Sequence, residues 1–98
     1  MTEGYKMTKW ESLSDDLKVC VRIYQDQSAG KDVWFSSLAE LLKDEVSKVD
    51  LSKCEDKLMD LGILDKRYIK VDGMWTSCYQ ISPEAESFIK HIVENLGA

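Results

Sequence analysis

Hydrophobic residues recur at helical spacing near the start of the chain. The recurrence is Leu13, Leu17, Cys20, Val21 and Tyr24, at i, i+4, i+7, i+8 and i+11. This spacing predicts one apolar stripe on a first helix, with Ser12 or Ser14 as its cap. Val19 and Ile23 fall outside the stripe, so we expect them to be available for another contact.

Two more helices are predicted after a very short strand at Val33-Trp34-Phe35. Ser37 and Glu40 have the capping-box spacing of a second helix, and its inward residues are Leu38, Leu41 and Leu42. Ser47 and Asp50 mark the start of a third helix. Its inward stripe is Leu51, Cys54, Leu58 and Leu61, with Gly62 as the C-cap.

From Lys66 the hydrophobic period changes to two. Asp72-Gly73 is a strong hairpin signal, with a return strand over 74–81. Ser82 and Pro83 begin a last helix, whose apolar side is Ala85, Phe88, Ile89, Ile92 and Leu96. The predicted fold class is therefore α+β, in the order helix, short strand, two helices, β-hairpin and helix.

Three segments carry a family resemblance. Residues 37–42 match an "LAxxL" helix, residues 51–64 match a recognition helix that runs into a wing, and Tyr79 to Ala85 match a "YxLTPEG" junction. Over residues 13–96 the chain resembles the winged helix-turn-helix domains of small bacterial or archaeal transcriptional regulators. Its local sequence motifs are similar to those of MarR-like and PadR-like regulators. It departs from them in a longer connection at 43–46 and in Ala85, where the motif has glycine.

The length of the chain, its hydropathy and its cysteine spacing limit the class of protein to which it can belong. Ninety-eight residues make one domain, which we place at 11–98 behind a flexible tail at 1–10, although Trp10 could fold back onto the core. No apolar run approaches the roughly 18 residues of a membrane span, and no secretory signal is recognisable, so we expect a cytoplasmic protein. Cys20, Cys54 and Cys78 have no zinc spacing. Buried reduced thiols are favoured over a redox pair, and no metal or cofactor is expected.

The resemblance implies binding of double-stranded DNA, with the third helix in the major groove and the wing on the backbone. A helical wheel places five residues outward, flanked by Lys48 and Lys57: Val49, Ser52, Lys53, Asp56 and Asp60. The resemblance implies that the first half of this helix reaches base edges, through Lys48, Val49, Ser52 and Lys53. The other expected DNA contacts are Lys57 on the same helix and Lys66, Arg67 and Lys70 on the wing. Residues 47–81 carry as many acidic as basic side chains, so we expect weak binding by one copy.

The alternative function is a winged helix that binds other proteins, which the acidic balance of the chain favours. An enzyme is the least favoured class, because no catalytic arrangement is recognisable. We also expect a homodimer through the first and last helices, using Val19, Ile23, Val93 and Leu96; the alternative is that the last helix thickens its own core. Trp34 is expected to be partly buried. Trp75 is expected either to form a contact surface or to pack on the hairpin.

Overall fold

A computed structural model describes residues 9–96 of the chain, and its elements follow the predicted order. Residues 1–8 of the predicted tail, and residues 97 and 98, lie outside the described part. A 3-10 turn at Trp10–Ser12 precedes the helices α1 (Asp15–Ser28), α2 (Phe35–Leu41), α3 (Lys48–Asp60) and α4 (Pro83–Glu94). The strands are β1 (Val33–Trp34), β2 (Leu64–Val71) and β3 (Met74–Ile81).

The three strands form one antiparallel sheet in the order β1-β3-β2. β2 and β3 are joined at Asp72-Gly73, whose φ angles of 50° and 80° are both positive. Two positive φ angles define the hairpin turn that matches the twist of the flanking strands, so the predicted wing is confirmed. β1 adds to the other edge of β3 through Val33 and Tyr79, and Trp34 is half-buried, as expected.

Side-chain caps begin α1 and α3, and α2 begins earlier than predicted. The Ser14 hydroxyl accepts a hydrogen bond from the Leu17 N–H at 3.3 Å. The Ser37 hydroxyl lies inside α2 rather than at its cap: it accepts from the Trp34 N–H at 3.2 Å and donates to the Trp34 carbonyl at 3.0 Å. The N-cap of the helix is therefore Trp34, three residues before the Ser37 that the capping-box spacing indicated.

Both ends of α3 match the sequence prediction. The Ser47 hydroxyl accepts from the Asp50 N–H at 3.1 Å. At the other end, the Ile63 N–H donates to the Leu58 carbonyl at 2.9 Å, and Gly62 has φ 77°. This is the Schellman ending that glycine allows, and it turns the chain directly from α3 into the wing.

The core of α1 differs from its predicted stripe. Val19 and Ile23, expected to form a second-copy interface, are fully buried inside the chain, whereas Leu17 and Tyr24 are only half-buried. The reason is that α1 contacts α2, α3, α4 and β3, so it buries more than one face. The dimer surface predicted on α1 is therefore wrong at these two residues.

Three residues predicted to point inward are exposed: Leu41, Leu61 and Phe88. Leu61 caps α3 after its last helical residue, so it leaves the helical period that predicted its burial. The buried side of α4 centres on Ile89, and Phe88, one residue earlier, points away from it with 56% of its surface exposed.

The junction between α3, β2 and α4 is tied by one serine. The Ser82 hydroxyl, predicted to cap α4, instead donates to the Gly62 carbonyl at 2.7 Å, and the Ser82 N–H donates to the Ile63 carbonyl at 2.9 Å. β2 also begins two residues earlier than the predicted Lys66, because Leu64 pairs with Ile81 and both are buried. The wing is thereby fixed to the end of α3.

The N-terminal segment packs on the domain from Trp10 onward, so part of the predicted tail belongs to the folded unit. The Trp10 indole N–H donates to the Glu45 carboxylate at 2.6 Å, and the Lys18 ammonium lies 5.7 Å from the ring centroid.

Among residues 9–96, no helix is both long and apolar enough to cross a bilayer.

Candidate nucleic-acid interface

The outward side of α3 carries the residues that the sequence assigned to base contacts. Leu51, Cys54 and Leu58 are buried, and the opposite side exposes Lys48, Val49, Ser52 and Lys53. We call these four residues the reading face. Val49 is 65% exposed, so an apolar side chain stands in solvent in the first turn of the helix. The structure therefore brings all four predicted residues onto one accessible surface.

On the α1 side, the reading face is bounded by acidic residues. The Lys57 ammonium lies 2.7 Å from the Asp16 carboxylate, and this hydrogen bond holds the pKa of Asp16 below its usual value. Asp15 and Asp50 line the same shallow depression as Lys53. Lys57, a predicted DNA contact, is therefore engaged by α1, and the local charge on this side is mixed.

Cys54 lies beneath that acidic border. Burial raises the pKa of its thiol to about 12, and the neighbouring Asp16 acts in the same direction. The pKa of Cys20 is raised to about 12 for the same main reason, burial. All three cysteines are buried and unbonded to each other. Protonated, buried thiols favour the structural role predicted for them over redox sensing.

On the wing side, α3 buries an acid. Glu55 is 2% exposed, and its Oε2 has no hydrogen-bond partner among the described residues. Burial raises the pKa of its carboxyl to about 7, although the Tyr79 hydroxyl and the Lys66 ammonium favour the charged form. Burial and the Glu55 charge in turn raise the pKa of Tyr79. Glu55 therefore links α3 to both strands of the wing.

The basic residues of the wing fall into two groups. Lys66 and Lys70 lie over aromatic rings, 5.9 Å from the Tyr68 centroid and 5.8 Å from the Trp75 centroid. Arg67 points to the other side of the strand, 3.6 Å from the Asp32 carboxylate. Within residues 9–96, Lys48, Lys53, Lys66 and Lys70 have no carboxylate within salt-bridge distance, so these four cations are available to an external anion.

An open groove separates α2 from the start of α3. It has a volume of about 450 Å³ and is lined by Phe35, Ala39 and Val46 at its base and by Lys43 and Lys48 among its polar residues. Lys43 is bound to Glu40 at 2.8 Å, whereas Lys48 lies at the rim with an accessible ammonium.

In the part of the chain that is described, no group of three or more His, Cys, Asp or Glu could hold a metal ion.

The sequence interpretation did not anticipate the buried position of Glu55. It lies four residues after Leu51 and three before Leu58, so a helical wheel places it on the buried side of α3. Its helical position indicated burial, but it was counted only in the charge balance of residues 47–81. The side chains predicted as base contacts, Lys48, Val49, Ser52 and Lys53, lie on the exposed side of α3 where they were expected.

Three helices followed by a two-stranded wing, with a short third strand on the sheet, define a winged helix-turn-helix domain. Neither a protein-family model nor a curated protein sequence matches the chain. Solved winged-helix structures do match it. A variant of ZitR from Lactococcus lactis superposes with a TM-score of 0.67 at 14% identity, over 92% of this chain and 57% of that chain. The circadian clock associated protein Pex from Anabaena superposes with a TM-score of 0.63 at 19% identity, over 94% and 82%.

These similarities establish the winged-helix fold. At 14% and 19% identity they establish the fold alone. The chain spans less than two thirds of the length of the ZitR chain.

Proposed function

We propose that this protein is a DNA-binding transcriptional regulator without catalytic activity. The third helix, α3, would enter the major groove of double-stranded DNA, and the wing would contact the backbone. The main support for the proposal is the reading face. Its four side chains are suited to base and phosphate contacts and are exposed together in the first half of α3. In this type of fold that half of the recognition helix approaches the base edges.

The contacts divide by chemistry. Val49 and Ser52 are suited to base edges, Val49 through apolar contact with a thymine methyl group and Ser52 through a hydrogen bond. Lys48 and Lys53 are suited to bases or phosphates. Lys66 and Lys70 would contact phosphates from the wing, and Arg67 and Lys57 would join them on release from Asp32 and Asp16.

The number of available cations limits affinity. Lys48, Lys53, Lys66 and Lys70 would neutralise about four phosphates, which predicts a salt slope of roughly −3 to −4 for one copy. Such a slope indicates weak binding at physiological salt. The proposal therefore includes a second copy, which would double the contacts.

Since Val19 and Ile23 are buried, the contact with a second copy would use α4. Phe88 is 56% exposed there, and Val93 and Leu96 are half-buried further along. Light scattering of the wild type and of Phe88→Ala tests this part. A dimer that Phe88→Ala dissociates is expected. A mass of one chain at tens of micromolar would contradict it.

The finer assignments are also part of the proposal. The similarity to MarR-like and PadR-like motifs is supported by the segment from Tyr79 to Ala85. There β3 passes directly into α4, as that motif requires. The connection between α2 and α3 spans residues 42–47, which leaves the subfamily unassigned. A regulator of this kind would act in the prokaryotic cytoplasm, where the chromosome lies.

A salt-dependent titration against double-stranded DNA tests the proposal. Lys53→Ala should weaken binding and flatten the salt slope by about one, because one fewer counterion is released. Lys90→Ala, which removes an exposed lysine from α4, is the matched control and should leave the slope unchanged. Absence of binding at low salt would overturn the proposal in favour of the protein-interaction module.

A further inference from the structure

Two large aromatic side chains stand in solvent on one face of the wing. Trp75 is 67% exposed and Tyr68 is 63% exposed. In the register of the hairpin, Tyr68 lies opposite Ser77 and Lys70 lies opposite Trp75. Residues directly opposite each other share a face, and alternate residues of a strand return to it. Tyr68, Trp75, Lys66 and Lys70 therefore form one surface, which we call the ring face.

The ring face is positively charged although the segment as a whole is neutral. Each ring has an ammonium group above it, Lys66 over Tyr68 and Lys70 over Trp75, at under 6 Å. The acid of β2, Asp65, alternates to the opposite face, next to Gln80. Glu55 and Asp56 of α3 lie near the base of the hairpin and Asp72 lies in its turn, so the positive charge is concentrated between them, at Lys66 and Lys70.

Aromatic rings combined with lysines suit a partner that offers both flat apolar surfaces and anions. An apolar protein surface would have to desolvate two ammonium groups without pairing them, which is costly. A nucleic-acid strand offers bases to the rings and phosphates to the lysines, the combination used by proteins that bind single strands. In a closed duplex the faces of the bases are covered by their neighbours. The rings can stack only where the strands are open.

We propose that the ring face binds unpaired bases, with Trp75 and Tyr68 stacking on them and Lys66 and Lys70 contacting phosphates of the same strand. Tyr68 and Trp75 are diagonal neighbours, so their Cβ atoms lie roughly 7 Å apart, close enough for both rings to contact bases of one strand. The inference rests on the proposed function and sharpens it: the preferred target is a duplex with an opened segment beside the site of α3.

Fluorescence anisotropy with two labelled DNAs tests the inference. One is a closed duplex of two helical turns, and the other is the same duplex with a short central stretch of unpaired bases. The wild type should bind the opened duplex about fivefold or more tightly than the closed one, the effect of stacking on one base. Trp75→Ala should abolish that preference and leave the affinity for the closed duplex within about twofold. Tyr68→Ala should reduce the preference.

Met74→Ala is the matched control. Met74 is 72% exposed in the same hairpin but lies opposite Val71, on the other face. It should retain the full preference. All three side chains are exposed, and circular dichroism checks that each variant folds as the wild type does.

Equal affinity of the wild type for both DNAs, or a preference that survives Trp75→Ala and Tyr68→Ala, would overturn the inference while duplex binding stands. An equal loss on both DNAs in Trp75→Ala would also overturn it, because the ring would then contact the duplex backbone. Binding to the opened DNA alone, lost in Trp75→Ala, would support the inference and contradict the duplex-binding proposal. Binding to neither DNA would overturn both.

Discussion

Replacing Glu55 by glutamine removes a buried carboxylate from the contact between α3 and the wing. Burial raises the pKa of Glu55 from 4.5 to about 7, so the charged form is less stable in the folded chain than in the unfolded one. The folded state therefore holds the proton more tightly. Stability from this group is fully present below pH 4.5 and is lost as the pH rises through about 7.

The size of the effect follows from that pKa. A displacement from 4.5 to about 7 corresponds to at most about 3 kcal/mol. The Tyr79 hydroxyl and the Lys66 ammonium already favour the charged form, and solvent near the wing screens it, so we expect about 1–2 kcal/mol. Glu55→Gln keeps the shape of the side chain and should raise the free energy of unfolding by that amount at pH 8.

Urea denaturation, followed by tryptophan fluorescence at pH 5 and pH 8, measures the difference. The gain in Glu55→Gln should be largest at pH 8 and clearly smaller at pH 5, where the folded-state carboxyl is protonated but the carboxyl of the unfolded chain is already partly ionised. Asp60→Asn changes an exposed acid of the same helix and is the control, with the same small difference expected at both pH values. A Glu55→Gln variant less stable than the wild type at pH 8 would refute the reasoning, because the carboxylate would then be satisfied where it lies.

Three further predictions concern the scaffold. Ser82→Ala should lower the free energy of unfolding by about 1–2 kcal/mol in urea denaturation, because the Gly62 carbonyl loses its donor; an unchanged midpoint would contradict this. Gly73→Ala should cost about 1 kcal/mol, measured as a lower Tm, because φ at this position is 80°. Asp16→Asn should lower the free energy of unfolding by a few tenths of a kcal/mol at neutral pH, because it removes the ion pair with Lys57. The difference between variant and wild type should vanish as the pH falls below 3.8, and acid titration followed by circular dichroism measures it.

Local signals made α3 and the wing predictable. The cap of α3 involves residues only three apart, Ser47 and Asp50, and its ending needs only Gly62 and the residues beside it. The hairpin turn depends on Asp72-Gly73 alone. Such features depend on short stretches of chain, so the sequence contains all the information that determines them.

The misses come from contacts that no short stretch specifies. A single apolar stripe implies one buried face per helix, which left Val19 and Ile23 for the surface. Because α1 is surrounded by other elements, both residues are buried instead. The pairing of Lys57 with Asp16 joins residues 41 positions apart. Glu55 was counted only in the charge balance, although its helical position placed it inside. In each case the contact depends on tertiary packing between residues that are distant in sequence.

An NMR titration of the labelled protein with double-stranded DNA tests whether α3 and the wing form the DNA-binding surface. We expect backbone amide shifts to concentrate at residues 47–53 of α3 and at 66–75 of the wing, and to diminish as salt is added. Amides of α4 around Phe88 should move little on DNA addition. Shifts confined to α4, or no shifts at low salt, would contradict the assignment of α3 and the wing as a DNA-binding surface.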